Sequence, residues 1–254
     1  VVEDYGADAL RFYLLKSPVM RSEKLRFSKD DVEDTYNKVV NMVYNIHNFY
    51  SMYEDELDQK QINKFEPTEA DHTLDQWAIS KLHKLIKKVT TEMEDYHLKK
   101  ATRPIEDYIL DLSQWYLRRS RERFKEGSKQ EKNQAGATMH YILKTLSKVM
   151  APFTPFIAEY LYQELSGKEE SVHLQDWPET INEAIDEVLE QNMDKLRQLA
   201  EMGQALRQQE GLKVRQALSS AAIFDTELNE EMKKILAEEL NVHKIINQPE
   251  DSNG

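Results

Sequence analysis

A stretch of 14 residues, DLSQWYLRRSRERF (Asp111–Phe124), combines dense positive charge with aromatic rings, although the whole chain carries a formal net charge of −12. Its arginine cluster consists of Arg118, Arg119, Arg121 and Arg123. Arginine binds phosphate through two parallel hydrogen bonds and stacks on bases, and an aromatic side chain such as Trp115 can stack on an unpaired base. The residue types therefore indicate a face that binds phosphate and bases. The alternative is that the arginines pair with carboxylates of a neighbouring helix.

A helix over residues 105–125 would divide the arginine cluster between two faces. One stripe at helical spacing contains Ile105, Ile109, Leu112, Tyr116, Arg119 and Arg123. This pattern places Tyr116 in the core and makes Arg119 the arginine expected to have a structural role. Arg118 and Arg121 lie on a second, polar face and are expected to meet phosphate. Trp115 either stacks on a base or lies in the core.

A second basic element, the basic turn (residues 207–215), surrounds Gly211. Its cations are Arg207, Lys213 and Arg215. Gly211 is expected to end a long helix in a left-handed cap. Lys213 and Arg215 are candidate nucleic-acid contacts, but cations are also favourable at the C-terminus of any helix.

No pattern in the sequence specifies a catalytic or metal site. The chain has no cysteine, which excludes thiolate chemistry and cysteine-ligated zinc within these residues. Its seven histidines are scattered, and neither a glycine-rich phosphate-binding loop nor a histidine–carboxylate zinc motif occurs. No apolar run approaches the roughly 18 residues of a membrane span, so no membrane partner is expected.

The elements that carry these residues are predicted to be mainly helical. Only 7 Gly and 7 Pro occur among 254 residues, and 31% of the residues are charged. Helices are predicted over 5–16, 28–53, 74–96, 104–127, 134–150, 155–165 and 184–209. Ser28 is expected to cap the second helix and Pro104 to open the fourth. Residues 54–72 form a candidate linker, and a small α/β unit should follow residue 211.

Six segments occur in an order that resembles class I aminoacyl-tRNA synthetases, most of all isoleucyl-tRNA synthetase. They are YGADALRFYLL, LDQWAISKLHKLI, DLSQWYLRRSRERF, LKTLSKVMAPFTPFIAEYLY, SVHLQDWPE and LKVRQALS. The resemblance implies a mainly α fold, the anticodon-binding helical bundle of the class Ia enzymes with a small C-terminal α/β appendage. It divides the chain into a connector after the catalytic domain (1–27), the anticodon-binding domain (28–183) and a C-terminal subdomain (184–254).

The resemblance also implies a role in tRNA recognition. The partner would be the anticodon stem-loop, and the candidate contacts are Trp115, Arg118, Arg119, Arg121, Arg123, Lys213 and Arg215. The catalytic domain would lie in the same cytoplasmic polypeptide and would use ATP and magnesium to attach isoleucine to tRNA. Neither H-I-G-H nor K-M-S-K-S type motifs occur here, so we interpret this chain as a piece without catalytic activity and without a cofactor of its own.

Two alternatives stay open at this point. The same architecture could belong to a valyl- or leucyl-tRNA synthetase, which share the APFTPFIAEYLY and Y-G-A-D-A-L-R segments. The chain could also be a helical protein–protein scaffold without RNA binding. The scaffold hypothesis predicts that Arg119 and Arg123 lie within hydrogen-bonding distance of buried carboxylates.

Overall fold

Helices account for most of the described residues, which in this computed structural model are 1–166, 171–224, 226 and 228–248. In chain order the helices are α1 (Val2–Lys16), α2 (Lys29–Thr35), α3 (Met42–Glu54), α4 (Gln59–Ile62), α5 (Thr73–Glu94), α6 (Leu98–Asp111), α7 (Arg118–Lys125), α8 (Lys129–Met150), α9 (Pro155–Ser166), α10 (Glu187–Gln209) and α11 (Glu230–Leu240). Two strands, β1 (Ala221–Phe224) and β2 (Ile245–Gln248), lie near the C-terminus. The predicted mainly α class with a small α/β appendage is confirmed.

Two π-helical turns join helices without a break in the chain direction. The first turn, Tyr36–Asn41, connects α2 to α3, and the second turn, Leu112–Leu117, connects α6 to α7. The π-helix is rare and occurs mostly as single turns inside α-helices, frequently at functional sites. The second π-turn carries Trp115 and Tyr116, directly before the arginine cluster.

The first of two compact units, Val1–Ile185, is a helical bundle. The largest completely buried side chains include Trp77, Tyr50, Tyr116, Phe12, Phe124 and Phe153. Apolar residues at helical spacing, such as Leu82, Ile86 and Val89 of α5, are buried against α6 and α8. This burial of one face on each helix explains why the apolar stripes in the sequence predicted the helices well.

The starts of α2 and α8 follow ordinary capping chemistry. The Ser28 hydroxyl accepts a hydrogen bond from Asp31 N at 3.2 Å, as the sequence predicted. At α8, Ser128 and Glu131 form a reciprocal capping box, in which each side chain accepts from the other residue's backbone N–H. These hydrogen bonds satisfy N–H groups that have no partner within the helix.

The prediction that Pro104 opens a helix is wrong, because α6 already begins at Leu98. A proline inside a helix lacks one N–H, so the carbonyl four residues earlier loses its intrahelical partner. Ala101, three residues before Pro104, and Ile105, directly after it, are both completely buried. Burial of this apolar face outweighs the local cost of the proline.

Residues 54–72 are not a free linker, contrary to the sequence-based prediction. This segment contains α4, and its side chains Leu57, Ile62 and Pro67 are buried. Asp58 N donates to Asn133 Oδ1 of α8 at 3.0 Å. A few well-spaced apolar residues therefore hold a polar segment against the bundle.

The second compact unit, Asp186–Gly254, contains α10 and a small β-α-β element. Strands β1 and β2 pair in parallel, with Ala221 opposite Ile245, and α11 connects them. Leu196 of α10 and Leu236 of α11 are completely buried. The small α/β unit predicted after residue 211 is confirmed, with β1 beginning at Ala221 and β2 at Ile245. The proposed boundaries after residues 27 and 183 stay predictions.

Within the described ranges, no helix combines the length and apolar character needed to cross a membrane. The same part of the chain contains no group of three or more histidine, cysteine, aspartate or glutamate side chains arranged to hold a metal ion.

Candidate nucleic-acid interface

The arginine cluster lies at the end of a long helical path made of α6, the second π-turn and α7. The path ends at Lys125, and Gly127 N donates to Glu122 O at 3.1 Å. A Cβ atom on Gly127 would collide with the backbone carbonyl of Arg123. Because Gly127 lies so close to the Arg123 carbonyl, only glycine fits at this position. The sequence predicted that the helix stops here.

Asp75, in the first turn of α5, binds two residues of this path. Its Oδ1 accepts from the Tyr116 hydroxyl at 2.7 Å and from Arg123 Nη1 at 2.7 Å. Its Oδ2 accepts from Arg123 Nη2, also at 2.7 Å. The Asp75 residue is 1% exposed and the Arg123 side chain 11% exposed, so this bidentate ion pair is almost fully removed from water.

The pKa values of Tyr116 and Arg123, the two residues that Asp75 binds, reflect this buried environment. Burial raises the pKa of the Tyr116 hydroxyl well above its usual value, and the nearby Asp75 charge adds to that effect. For Arg123, burial lowers the pKa, but the hydrogen bonds and charge of Asp75 outweigh burial and raise it. Arg123 therefore stays charged at any ordinary pH.

Arg118 lies on the opposite face and is exposed. Its guanidinium carbon is 5.5 Å from the centroid of the Trp115 ring, and its Nε donates to Gln114 O at 2.9 Å. Trp115 itself is only 6% exposed and belongs to the core, which is one of the two positions that the sequence left open. The Arg118 guanidinium therefore packs over one face of a largely buried ring.

Arg121 is also exposed and lies over the ring of Phe49, which belongs to a cluster of three packed rings. The aromatic cluster consists of Phe49, Tyr53 and Phe124, with ring centroids 5.2–5.5 Å apart. The Arg121 guanidinium carbon lies 6.0 Å from the centroid of Phe49. Among the described residues, no carboxylate forms an ion pair with Arg121. The exposed side chain of Arg121 can be reached from solvent.

The structure thus separates the arginine cluster into inward and outward members. Arg119 is half-buried on the apolar stripe, as expected from its spacing. Arg123 also has a structural role, because its guanidinium reaches the buried carboxylate of Asp75. Tyr116 is completely buried, as predicted.

In the second unit, Arg207 organises the basic turn instead of contacting solvent. It is 5% exposed, and its Nη2 donates to the carbonyls of Lys213, Val214 and Gln216, the first at 3.0 Å. Gly211 adopts a φ of 68°, which confirms the predicted left-handed cap. Asn241 Nδ2 adds a hydrogen bond to Val214 O at 3.0 Å.

Lys213 and Arg215 are both exposed on this turn. Because their backbone is held by buried hydrogen bonds from Arg207, the two cations project from a defined loop. The arrangement suits contact with phosphate. Sequence reasoning grouped Arg207 with the surface cations, and no signal in the local pattern marks it as buried.

Sequence reasoning also missed Asp75 and Phe49. Asp75 stands beside Leu74 and Trp77 at the start of an apolar helix, and a carboxylate beside buried residues was the available signal. Phe49 belongs to the regular stripe of α3, so its proximity to Arg121 depends on how α3 packs against α7.

Comparison with known proteins places this geometry in a family. A family model described as "Anticodon-binding domain of tRNA ligase" matches residues 75–222, which is more than half of the chain. The matched region contains Asp75, the arginine cluster and the basic turn. This chain belongs to the anticodon-binding domain family of tRNA ligases.

Curated relatives that are similar over almost the whole of this chain are isoleucine–tRNA ligases. The chain is 38% identical over 256 residues to the isoleucine–tRNA ligase of Chlamydia trachomatis and 36% identical over 259 residues to that of Clostridium tetani. The alignments cover 96% and 97% of this chain and 24% of each relative. The chain therefore spans about a quarter of the length of these relatives.

A solved structure supports the fold. It is the ternary complex of LeuRS from Agrobacterium radiobacter K84 with tRNA and LeuAMS, with a TM-score of 0.52 and 21% sequence identity. The similarity covers 73% of this chain and 21% of that one. At this identity the likeness concerns the helical architecture alone.

Proposed function

We propose that this chain recognises the anticodon stem-loop of isoleucine tRNA as part of a longer isoleucine–tRNA ligase. The observation that carries the proposal is the outward pair Arg118 and Arg121, placed over aromatic rings in a domain of the anticodon-binding family. Arginine held in this way can bind phosphate through its N–H groups and stack on an unpaired base.

In this proposal, Arg118 and Arg121 contact the RNA directly, and Lys213 and Arg215 supply further phosphate contacts. Trp115 supports Arg118 from the core. Arg119 and Arg123 act mainly by shaping the interface, since both are withdrawn from solvent. A local basic face is compatible with the net charge of −12, because salt screens charges beyond about 8 Å at physiological ionic strength.

The remaining features of the parent protein are proposed from the similarity to isoleucine–tRNA ligases. A catalytic domain of the same polypeptide would bind ATP and magnesium and attach isoleucine to the tRNA in the cytoplasm. This chain would contribute affinity and selectivity for the tRNA, and would not activate isoleucine alone.

A binding experiment with tRNA transcripts tests the proposal. The chain should bind an isoleucine tRNA transcript more tightly than the same transcript with a substituted anticodon loop, because unpaired loop bases are where RNA sequence is read. Valine and leucine tRNA transcripts serve as matched competitors. Equal affinity for all four RNAs would contradict anticodon recognition, and tighter binding of the valine or leucine transcript would favour the corresponding synthetase.

A protein–protein scaffold is the second candidate function. The Arg123–Asp75 ion pair is the kind of internal contact which that hypothesis predicts. It does not explain the exposed Arg121. Absence of measurable RNA binding at low salt would favour the scaffold.

A further inference from the structure

We propose that Asp75 is a positioning residue for RNA binding: by holding Tyr116 and Arg123 on one face of the helix, it directs Arg118 and Arg121 towards the RNA on the other. The inference rests on the proposed function and adds a residue that does not itself touch RNA.

The two residues that Asp75 binds are seven positions apart and lie on the same side of the helical path. At about 100° per residue, Arg123 returns to within about 20° of Tyr116. One carboxylate therefore fixes both the rotation and the axial position of the segment between them. A single contact would leave rotation about the helix axis less restricted.

The same geometry determines where the outward arginines point. Counted from Tyr116 at about 100° per residue, Arg118 lies at about 200° and Arg121 at about 140°. Both are thus on the face opposite Asp75, consistent with their exposure. A rotation of the segment would move their guanidinium groups sideways from the RNA and away from Trp115 and Phe49.

This segment needs such a contact because it includes the second π-turn. A π-turn replaces the regular i→i−4 hydrogen bonds with hydrogen bonds that span five residues, and this changes the register of the residues that follow. The rotation of α7 is then not set by α6 alone. Tyr116 lies within the π-turn and Arg123 within α7, so Asp75 binds both parts.

Asp75 is itself held rigidly, as a positioning residue must be. Its own backbone N–H donates to His72 O at 2.8 Å in the first turn of α5, and its side chain is enclosed by the bundle. Displacement of α7 therefore requires breaking a buried, charge-assisted pair, not merely bending a flexible side chain.

The test is a double-mutant cycle on the affinity of this chain for the isoleucine tRNA transcript. Asp75→Asn keeps the size of the side chain but cannot accept from both guanidinium nitrogens as a charged fork. We expect Asp75→Asn to weaken binding about tenfold at a temperature where the variant is folded. Arg121→Gln should weaken binding of the original chain about tenfold, but that of the Asp75→Asn variant only about twofold, because the two residues act together.

The matched control is Asp8→Asn, which also alters a buried carboxylate. Asp8 accepts from Ile157 N at 2.7 Å and Phe156 N at 3.3 Å at the start of α9, away from the arginine cluster. It should lower stability without changing RNA affinity or the effect of Arg121→Gln. Arg123→Lys is a second test variant, which keeps the charge but loses the fork, and it should behave like Asp75→Asn.

The outcomes separate the two proposals. If the original chain binds RNA and Arg121→Gln weakens it, but Asp75→Asn and Arg123→Lys bind normally, the positioning role is overturned and the proposed function stands. Additive effects of Asp75→Asn and Arg121→Gln also overturn it, since a general structural defect gives no coupling. If the original chain binds no RNA, the proposed function fails and this inference fails with it.

Discussion

Asp75 and Arg123 form a two-pronged ion pair, with both N···O distances at 2.7 Å, between the first turn of α5 and the last turn of α7. The two residues are 48 positions apart in the sequence, so the pair joins distant parts of the bundle. Both side chains are withdrawn from water. If the ion pair breaks, neither charge can be hydrated again unless the structure opens.

The first prediction concerns the stability contributed by this pair. Asp75→Ala leaves a buried guanidinium without its carboxylate and should lower the free energy of unfolding by about 3–5 kcal/mol. The control is Asp107→Ala, which removes the exposed partner of Arg103 and should change stability by at most about 0.5 kcal/mol. Urea unfolding measured by circular dichroism compares them, and similar losses would show that burial of the pair is unimportant.

The second prediction concerns direct phosphate contact by Arg121. If this side chain neutralises one phosphate, Arg121→Gln should weaken tRNA binding and reduce the slope of log affinity against log salt by roughly 0.7–1. Arg103→Gln, an exposed change in the first half of α6 and outside the arginine cluster, is the matched control and should leave the slope unaltered. Binding titrations over a salt series measure the affinity and the slope for each variant. An unchanged slope for Arg121→Gln would show that Arg121 does not contact a phosphate.

The sequence predicted the helices well because each buries one regularly spaced apolar face. It also predicted that stripe membership withdraws Tyr116 and Arg119 from solvent. It named both Arg119 and Arg123 as candidates for pairing with a buried carboxylate, but it could not identify Asp75 as the partner of Arg123, because that depends on how α5 and α7 pack. The helix start at Pro104 was misplaced for a similar reason: burial of Ala101 and Ile105 outweighs a local cost that the sequence shows clearly.

The basic turn shows the same limitation. Arg207, Lys213 and Arg215 are all cations near a glycine, and nothing in their spacing distinguishes them. Only the fold shows that Arg207 is buried and binds backbone carbonyls while the other two are exposed. Which cations hold the loop and which face outward depends on tertiary packing.

The third prediction therefore assigns Arg207 a role in ordering the basic turn. Arg207→Lys keeps one positive charge but cannot place a guanidinium N–H against three carbonyls, so the turn should lose order. Hydrogen exchange of residues 212–218 should become faster in this variant. The control is Arg215→Lys, the same change at an exposed arginine of the same turn, which should leave exchange unaltered. Unchanged protection in Arg207→Lys would show that Gly211 and Asn241 are sufficient to hold the turn.

The last prediction concerns acid sensitivity of the bundle through His83. Burial lowers the pKa of this ring to about 4, and Ile181 N donates to its Nδ1 at 3.2 Å. The neutral ring then carries its proton on Nε2, which donates to the Tyr141 hydroxyl at 2.9 Å. Protonation of Nδ1 would abolish the hydrogen bond from Ile181 and place a charge in the core.

The sign of the effect follows from the two pKa values. The unfolded chain takes up this proton near pH 6.5 and the folded chain only near pH 4, so stability is complete above about pH 6.5 and is lost as the pH falls towards 4. The difference corresponds to about 3 kcal/mol for this one ring. His83→Gln should reduce the pH dependence of the free energy of unfolding between pH 7 and pH 4 by about that amount, whereas the exposed control His173→Gln should not. Equal pH profiles for the original chain and His83→Gln would show that the buried ring is not the origin of the acid sensitivity.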